Sequence, residues 1–335
     1  MQLKRRVLTS ILAIGAIAII TGVAIVLLTT PHSAPTKTIK IAFNTWIGYS
    51  SFYIAEKEGL FGKYGLKIET AVIDPLAEKN AGMLRGDLDG MGGTIDSSVI
   101  SATNGLSAAI VMMFDRSNGT DGILVTDDVK SVKDLAGKSI AVEEGFVGHF
   151  FLLYVLDKAG VELSSVRIIP MSTDEAGTAF AAGKVDVAVT WEPLLSTAKS
   201  RPGSRVLVSS ADVEPILADT LFLSRKIIQE RPVDVKNLVL ALMEANSMWK
   251  KDQGKYLPFI AEKWQLKPDE ITTTMQTVQL YDCSDQLRLF GPDHEGPLYE
   301  YVTKASNLWL KSGVTKLAPG ASTLVEPRFV REACR

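Results

Sequence analysis

TIKIAFNTWIGYSSFYIAEKEGLFGKYGLKIETAVI, residues 38–73, runs from an apolar strand through an aromatic loop and a helix into a second strand. TIKIAF and LKIETAVI carry the β-branched and apolar residues of buried strands. SSFYIAEKEGLFGKYG between them has helical spacing and stops at a Gly, the common residue just past a last helical turn. The loop that joins strand to helix holds Trp46, Gly48 and Tyr49 before any charge appears. In open α/β sheets ligands bind outside the carboxyl ends of the strands. An aromatic loop at that point is therefore expected to face a ligand.

The same alternation continues outward. AAIVMMF, GILVT, SIAVEE, VRIIPM, DVAVTW and RVLVSS read as further strands, with DPLAEKNAGMLRGD, DSSVISATNG, VGHFFLLYVLDKAG and TDEAGTAFAAGK as helices between them. The fold class expected is α/β, an open and mostly parallel sheet with helices on both faces. After Arg231 the character changes: VDVKNLVLALMEANSMWKKD, GKYLPFIAEKWQL, KPDEITTTMQTV and LYEYVTKASNLWLKSG all have helical period, with no strand run read among them. An internal echo splits the first part in two. RGDLDGMGGTIDSSV and AGKVDVAVTWEPLLS superpose without a gap, Gly86 on Gly183, Asp89 on Asp186 and Thr94 on Trp191, which suggests two lobes built alike.

Residues 1–35 stand apart. Lys4, Arg5 and Arg6 precede an uncharged run from Val7 to Leu28, long enough to cross a bilayer as a helix and long for a cleaved signal core. The basic side marks the cytoplasmic end, so a signal peptide or retained anchor is expected to leave the rest on the outer side, in the periplasm or on the extracellular face. The remaining chain is nearly balanced, with a formal net charge of −2 for the whole sequence and no basic run after the leader, which argues against nucleic acid as a partner. Cys283 and Cys334 could pair in an oxidising compartment or stand as free thiols; their spacing alone leaves both open. His32, His149 and His294 are scattered, so no metal site is expected. DLAGKS lacks the earlier Gly of a phosphate loop, Val132 standing in its place, and no cofactor is expected.

WIGYSSFYIAEKEGLFGKYGLKIE, GDLDGMGGTIDSSV, SVKDLAGKSIAVEEGF and AAGKVDVAVTWEPLLSTA resemble, in order and spacing, the solute-binding proteins of ABC importers in the nitrate, sulfonate and taurine group. The resemblance implies a two-lobed periplasmic-binding-protein fold of the Venus flytrap type. Residues 36–118 and 216–335 would form one lobe with C-terminal helices, and 119–215 an inserted second lobe. It implies a monomer that closes on a solute and delivers it to membrane permease and ATPase subunits, without catalysis. Two other roles fit the same resemblance: a ligand-sensing receptor without transport, and, least favoured, an enzyme like the pyrimidine synthases of yeast thiamine biosynthesis, whose clustered Cys motif is missing.

The loop ends then give the candidate ligand-binding residues. On the first lobe these are Trp46, Gly48, Tyr49, Thr94, Asp96 and Ser97; on the second, Gly145, Phe146, Trp191 and Glu192. Asp115 and Asp121 flank the crossing between lobes, and Asp219 the return crossing. Each has a plainer alternative: Asp96 as a helix cap, Glu192 as an acid serving a helix dipole, the two Trp as core, His149 as a helix-face residue. The candidate tips hold Asp96, Asp115, Asp121, Glu143, Glu144, Glu192 and Asp219 against Arg116 and His149. A carboxylate-lined cleft repels an oxyanion, and Trp and Tyr faces attract cations or planar rings. A small nitrogenous solute, cationic, zwitterionic or planar, is expected over nitrate or a sulfonate.

Overall fold

The computed structural model describes residues 37–335; the expected leader lies outside the described residues. Strand β1 (Ile39–Phe43) pairs in parallel with β2 (Ile68–Val72), Ile39 opposite Ile68, and with β3 (Gly90–Thr94) on its other side. Helices α1 (Ser50–Lys57) and α2 (Leu76–Arg85) make the two crossovers, and α3 (Ile95–Thr103) starts where β3 stops. Long strand β4 (Ala108–Ser117) then leads straight into β5 (Asp121–Thr126), which belongs to another sheet.

That second sheet repeats the pattern. Strand β6 (Ser139–Val142) is followed by α4 (Val147–Lys158), β7 (Arg167–Pro170), α5 (Thr173–Ala181), β8 (Val187–Trp191), α6 (Leu194–Lys199) and β9 (Ser204–Ser209). The chain returns to the first sheet as β10 (Ala218–Ser224). The strand orders are β11-β4-β10-β3-β1-β2 and β7-β6-β8-β5-β9, where β11 is Val278–Leu280. Thr94 and Trp191, the matched ends of the internal echo, are the last residues of β3 and β8, and each strand lies inside its sheet.

Three expectations need correcting. The sheets are mixed rather than mostly parallel: β10 runs antiparallel to β3 and β4, β11 to β4, and β5 to β8 and β9. The cause is the pair of crossings. The chain leaves by β4 and re-enters by β10 without a crossover helix beside either, so these strands run in opposite senses. Strand β10 was anticipated only as a crossing, because Asp219 and Thr220 break its apolar run. The C-terminal part also contains a strand, β11, whose three residues are too few to show an alternation.

Helix α7 (Pro232–Lys251) opens with Pro232 at its first turn, carries Asp234 near its positive end and Lys250 and Lys251 near its negative one. Its buried face, Val235, Leu238, Leu242, Ala245 and Trp249, follows the helical period and packs on α1. Beyond it come α8 (Gln253–Trp264), α9 (Pro268–Met275), α10 (Cys283–Phe290), α11 (Pro297–Ser312) and α12 (Arg328–Ala333). Cys283 and Cys334 form a disulfide that ties α10 to the residue after α12, with Cα atoms 5.2 Å apart and a sequence separation of 51. Closing such a loop removes about 4 kcal/mol of unfolded-chain entropy in the chain-entropy account. Helix α11 packs on α3, beside the first sheet, and on α4, beside the second. Thr38–Arg335 form one compact unit.

Candidate functional site

Strand ends of both sheets open into one hollow, partly open to solvent. Trp46 reaches it from the β1–α1 loop, Lys79 from α2, Thr94, Asp96 and Ser97 from the β3–α3 turn, and Asp219 from β10. Asp121 at the start of β5, Gly145 and Phe146 from the β6–α4 loop, and Trp191 at the end of β8 complete it. Trp46 and Trp191, 145 positions apart in sequence, thus share a cavity; both are half-buried, so neither is simply core.

Register sets the acidic row. Asp219 stands opposite Thr94 on one side and Asp115 on the other, so three neighbouring strands place polar side chains together. Tyr49 is fully buried and its hydroxyl donates to Asp219 Oδ1 at 2.5 Å. Asp115 lies behind the hollow: the Trp46 indole N–H donates to its Oδ1 at 3.2 Å, and its Oδ2 has no hydrogen-bond partner. Gly48 does not line the hollow either. A Cβ there would sit 1.9 Å from Asp115 Oδ2 and 2.6 Å from Trp46 Nε1, so the glycine is what lets the loop close over Asp115.

Asp96 sits in the first turn of α3, 1 % exposed, with both carboxyl oxygens unpartnered. The N-cap of α3 is Thr94, whose side chain makes no capping hydrogen bond, and Asp96 is the acidic residue of the first turn, where the helix dipole also favours it. Burial pushes its carboxyl up to about 6, with the nearby Thr94 and first-turn amides pulling weakly the other way. Burial does the same to Asp121, to about 6, and to Asp219, to about 7, where the Tyr49 hydroxyl opposes it. Asp115 is raised by burial and by Asp219 beside it.

Lys79 is the cation that the sequence argument missed. It is 2 % exposed, and its ammonium donates to Asn44 Oδ1 and to the Gly92 carbonyl, both at 3.2 Å. Burial lowers it to about 8, while Asp219 and Asp74 pull it back up. The signal was available: in LAEKNAGMLR it occupies the stripe of Leu76 and Met83, where a charge is out of place. Asn44, Asp74, Leu76 and Gly93 also line the hollow without having been anticipated. Arg116, counted as a positive charge for the site, is instead bonded to Gln279 and Asn118.

The second sheet supplies a different wall. Phe146 and Trp191 meet edge to face, ring centres 5.7 Å apart. Gly145, at φ +74°, turns the loop, and its N–H donates to His149 Nδ1 at 3.2 Å. His149 lies on the face of α4 that packs against Trp309, is buried there, and burial lowers its pKa. Glu192 lies in a wider outer cleft and accepts hydrogen bonds from the Ser196 N–H and hydroxyl. Glu143, also in that outer cleft, accepts from the Thr173 N–H and hydroxyl, and Glu144 is exposed. Among the described residues no group of three or more His, Cys, Asp or Glu is disposed to hold a metal ion.

A fold of two mixed sheets around such a hollow has known counterparts. The crystal structure of the periplasmic aliphatic sulphonate binding protein from Escherichia coli superposes with a TM-score of 0.72 at 17% identity, over 86% of this chain and 92% of that one. A desulfurization enzyme superposes with a TM-score of 0.60 at 15% identity, over 88% and 98%. At these identities the likeness establishes the two-lobed periplasmic-binding-protein fold. A protein of Brucella abortus (strain 2308) named as a binding protein is 32% identical over 201 residues, 59% of this chain and 62% of its own length. The chain therefore spans about three fifths of the curated relative it matches. The profile of the NMT1-like family matches residues 32–256, most of the sequence, and the chain belongs to the NMT1-like family.

Proposed function

We propose that the protein is the extracytoplasmic solute-binding component of an ABC importer, taking a small nitrogenous solute between its two lobes and delivering it to a permease with its ATPase subunits. The lobes would be 36–118 with 216–335, and 119–215, moving about the two crossings. Residues 1–35 would serve as signal or anchor. The observation that carries the reading is the hollow itself, where strand ends of both sheets bring Asp96, Asp121 and Asp219 together with Trp46, Phe146 and Trp191. Aromatic faces and buried carboxyls suit an ammonium, amidinium or protonated ring, and nothing in the arrangement needs a bond to break. Relatives named as binding proteins support a binder over an enzyme. Lys79 and the α3 N-terminus favour a second reading, a small oxyanion, as the sulfonate-binding relatives would suggest.

A thermal-shift panel of amines, amidines, pyrimidines, sulfonates and nitrate separates the two. A nitrogenous ligand at 100 times its Kd adds about 2.7 kcal/mol of stability. Stabilisation by sulfonate or nitrate alone would replace the first reading by the second. Solute uptake by a deletion strain, unchanged from its parent, would point to sensing rather than transport.

A further inference from the structure

Two buried groups of opposite charge line the same hollow and neither has an ionic partner. Asp96 presents a carboxyl with both oxygens unpartnered. Lys79 gives two of its three ammonium hydrogens to neutral oxygens, Asn44 Oδ1 and the Gly92 carbonyl, and makes no ion pair among the described residues. The carboxyls in its electrostatic reach are otherwise engaged, Asp219 by the Tyr49 hydroxyl and Asp74 by the Thr45 N–H at 2.6 Å. Burying unpaired charge is costly, and the fold has not relieved that cost by pairing Lys79 with Asp96. A cation alone would satisfy the acidic side and leave Lys79 buried and unpaired. An anion alone would do the reverse.

Resting on the assignment of this hollow as the solute site, we propose that the solute is a zwitterion, its cationic nitrogen against Asp96 and Asp121 and its anionic group against Lys79. Asp219 lies within electrostatic reach of both Lys79 and Asp96 and is held by the Tyr49 hydroxyl. The aromatic wall of Phe146 and Trp191 covers the uncharged part.

The test is calorimetric titration and thermal shift of the full chain with ω-amino carboxylates of increasing length from glycine upward, against alkylamines and carboxylates of matching length. The proposal expects one length of zwitterion to bind at least about 10-fold more tightly than the amine or the acid of the same length. Lys79→Gln then weakens that zwitterion about 10- to 100-fold and the amine hardly at all, and Lys79→Arg restores part of the loss. Asp96→Asn weakens both. The comparison among ligands needs only the unaltered protein, so it stands even if a variant fails to fold. Amines that bind as tightly as zwitterions would overturn the zwitterion and leave the nitrogenous site intact. Binding by carboxylates, nitrate or methanesulfonate with none by any amine would overturn both. A series in which no zwitterion stabilises the protein overturns the proposal.

Discussion

The two walls of the hollow are built from the same β-α-β plan and loaded in opposite ways. On the side of the first sheet lies a polar bed: Lys79 from α2, Asp96 from α3, Asp219 from β10 and, behind them, Asp115 and Tyr49, all buried. On the second, β6 and β8 end in Gly145, Phe146, Val147 and Trp191, with Asp121 alone carrying charge. The equivalence of Thr94 and Trp191 shows how little backbone has to change for this: the last residue of the matching strand carries a hydroxyl on one wall and an indole on the other. The difference teaches where selectivity and closure reside. On the proposed binding role, charge on the first wall would decide what is admitted, and apolar contact from the second would supply a face that gains by covering it.

The largest consequence expected is a pH dependence of the unliganded protein that belongs to the carboxyls. Asp96, Asp121 and Asp219 hold their protons up to about 6, 6 and 7 when folded, against about 3.9 unfolded. Between those limits the folded state binds more protons, so stability falls as pH rises from about 4 to about 7, by an amount on the order of several kcal/mol. Lys79, lowered to about 8, reverses the slope above that, because there the unfolded chain binds more. Urea unfolding at intervals from pH 5 to 10 should therefore show a minimum near pH 8, and a flat profile would remove the distinction between the walls.

Asp96→Asn sharpens the same point. It should stabilise the unliganded protein by about 1 to 3 kcal/mol at pH 8 and by about half as much at pH 5, while ligand affinity falls. A loss of stability at pH 8 would mean the carboxylate has structural partners in solution. Trp191→Ala tests the other wall: affinity drops by about 1 to 2 kcal/mol, and the stability minimum stays at the same pH. If the minimum moves, Trp191 shapes the acidic bed and the walls are not independent. The smallest effect belongs to Glu192→Ala in the outer cleft. Loss of its bonds to Ser196 should cost about 0.5 to 1 kcal/mol of stability with unchanged affinity in titration. A weaker ligand would instead bring Glu192 into the site.

Most of the architecture was legible because buried strands and amphipathic helices follow separate periods, and the matching turns at Gly86 and Gly183, both at positive φ, repeat in the sequence. The antiparallel pairing was not, since it depends on how the chain crosses between sheets and no local pattern records that. At the site, loop-end logic brought Trp46, Thr94, Asp96, Ser97, Asp121, Gly145, Phe146, Trp191 and Asp219 to the hollow. It could not separate lining residues from those one layer behind, as with Gly48 and Tyr49, where one or two positions in a tight turn decide which way a residue faces, and Asp115, which lies within β4. Lys79 is not at a strand end; it projects from within a helix, where loop-end position gives no signal.

Helix α11 leans on both halves of the molecule, and Trp309 near its end gives its indole N–H to the Asp96 carbonyl at 3.2 Å while its ring lies 5.5 Å from that of His149. Sitting on the seam, that side chain is a built-in optical gauge. Any sliding of one half past the other would alter what surrounds it, so in a variant whose other four tryptophans are replaced its emission would follow such movement without an attached dye.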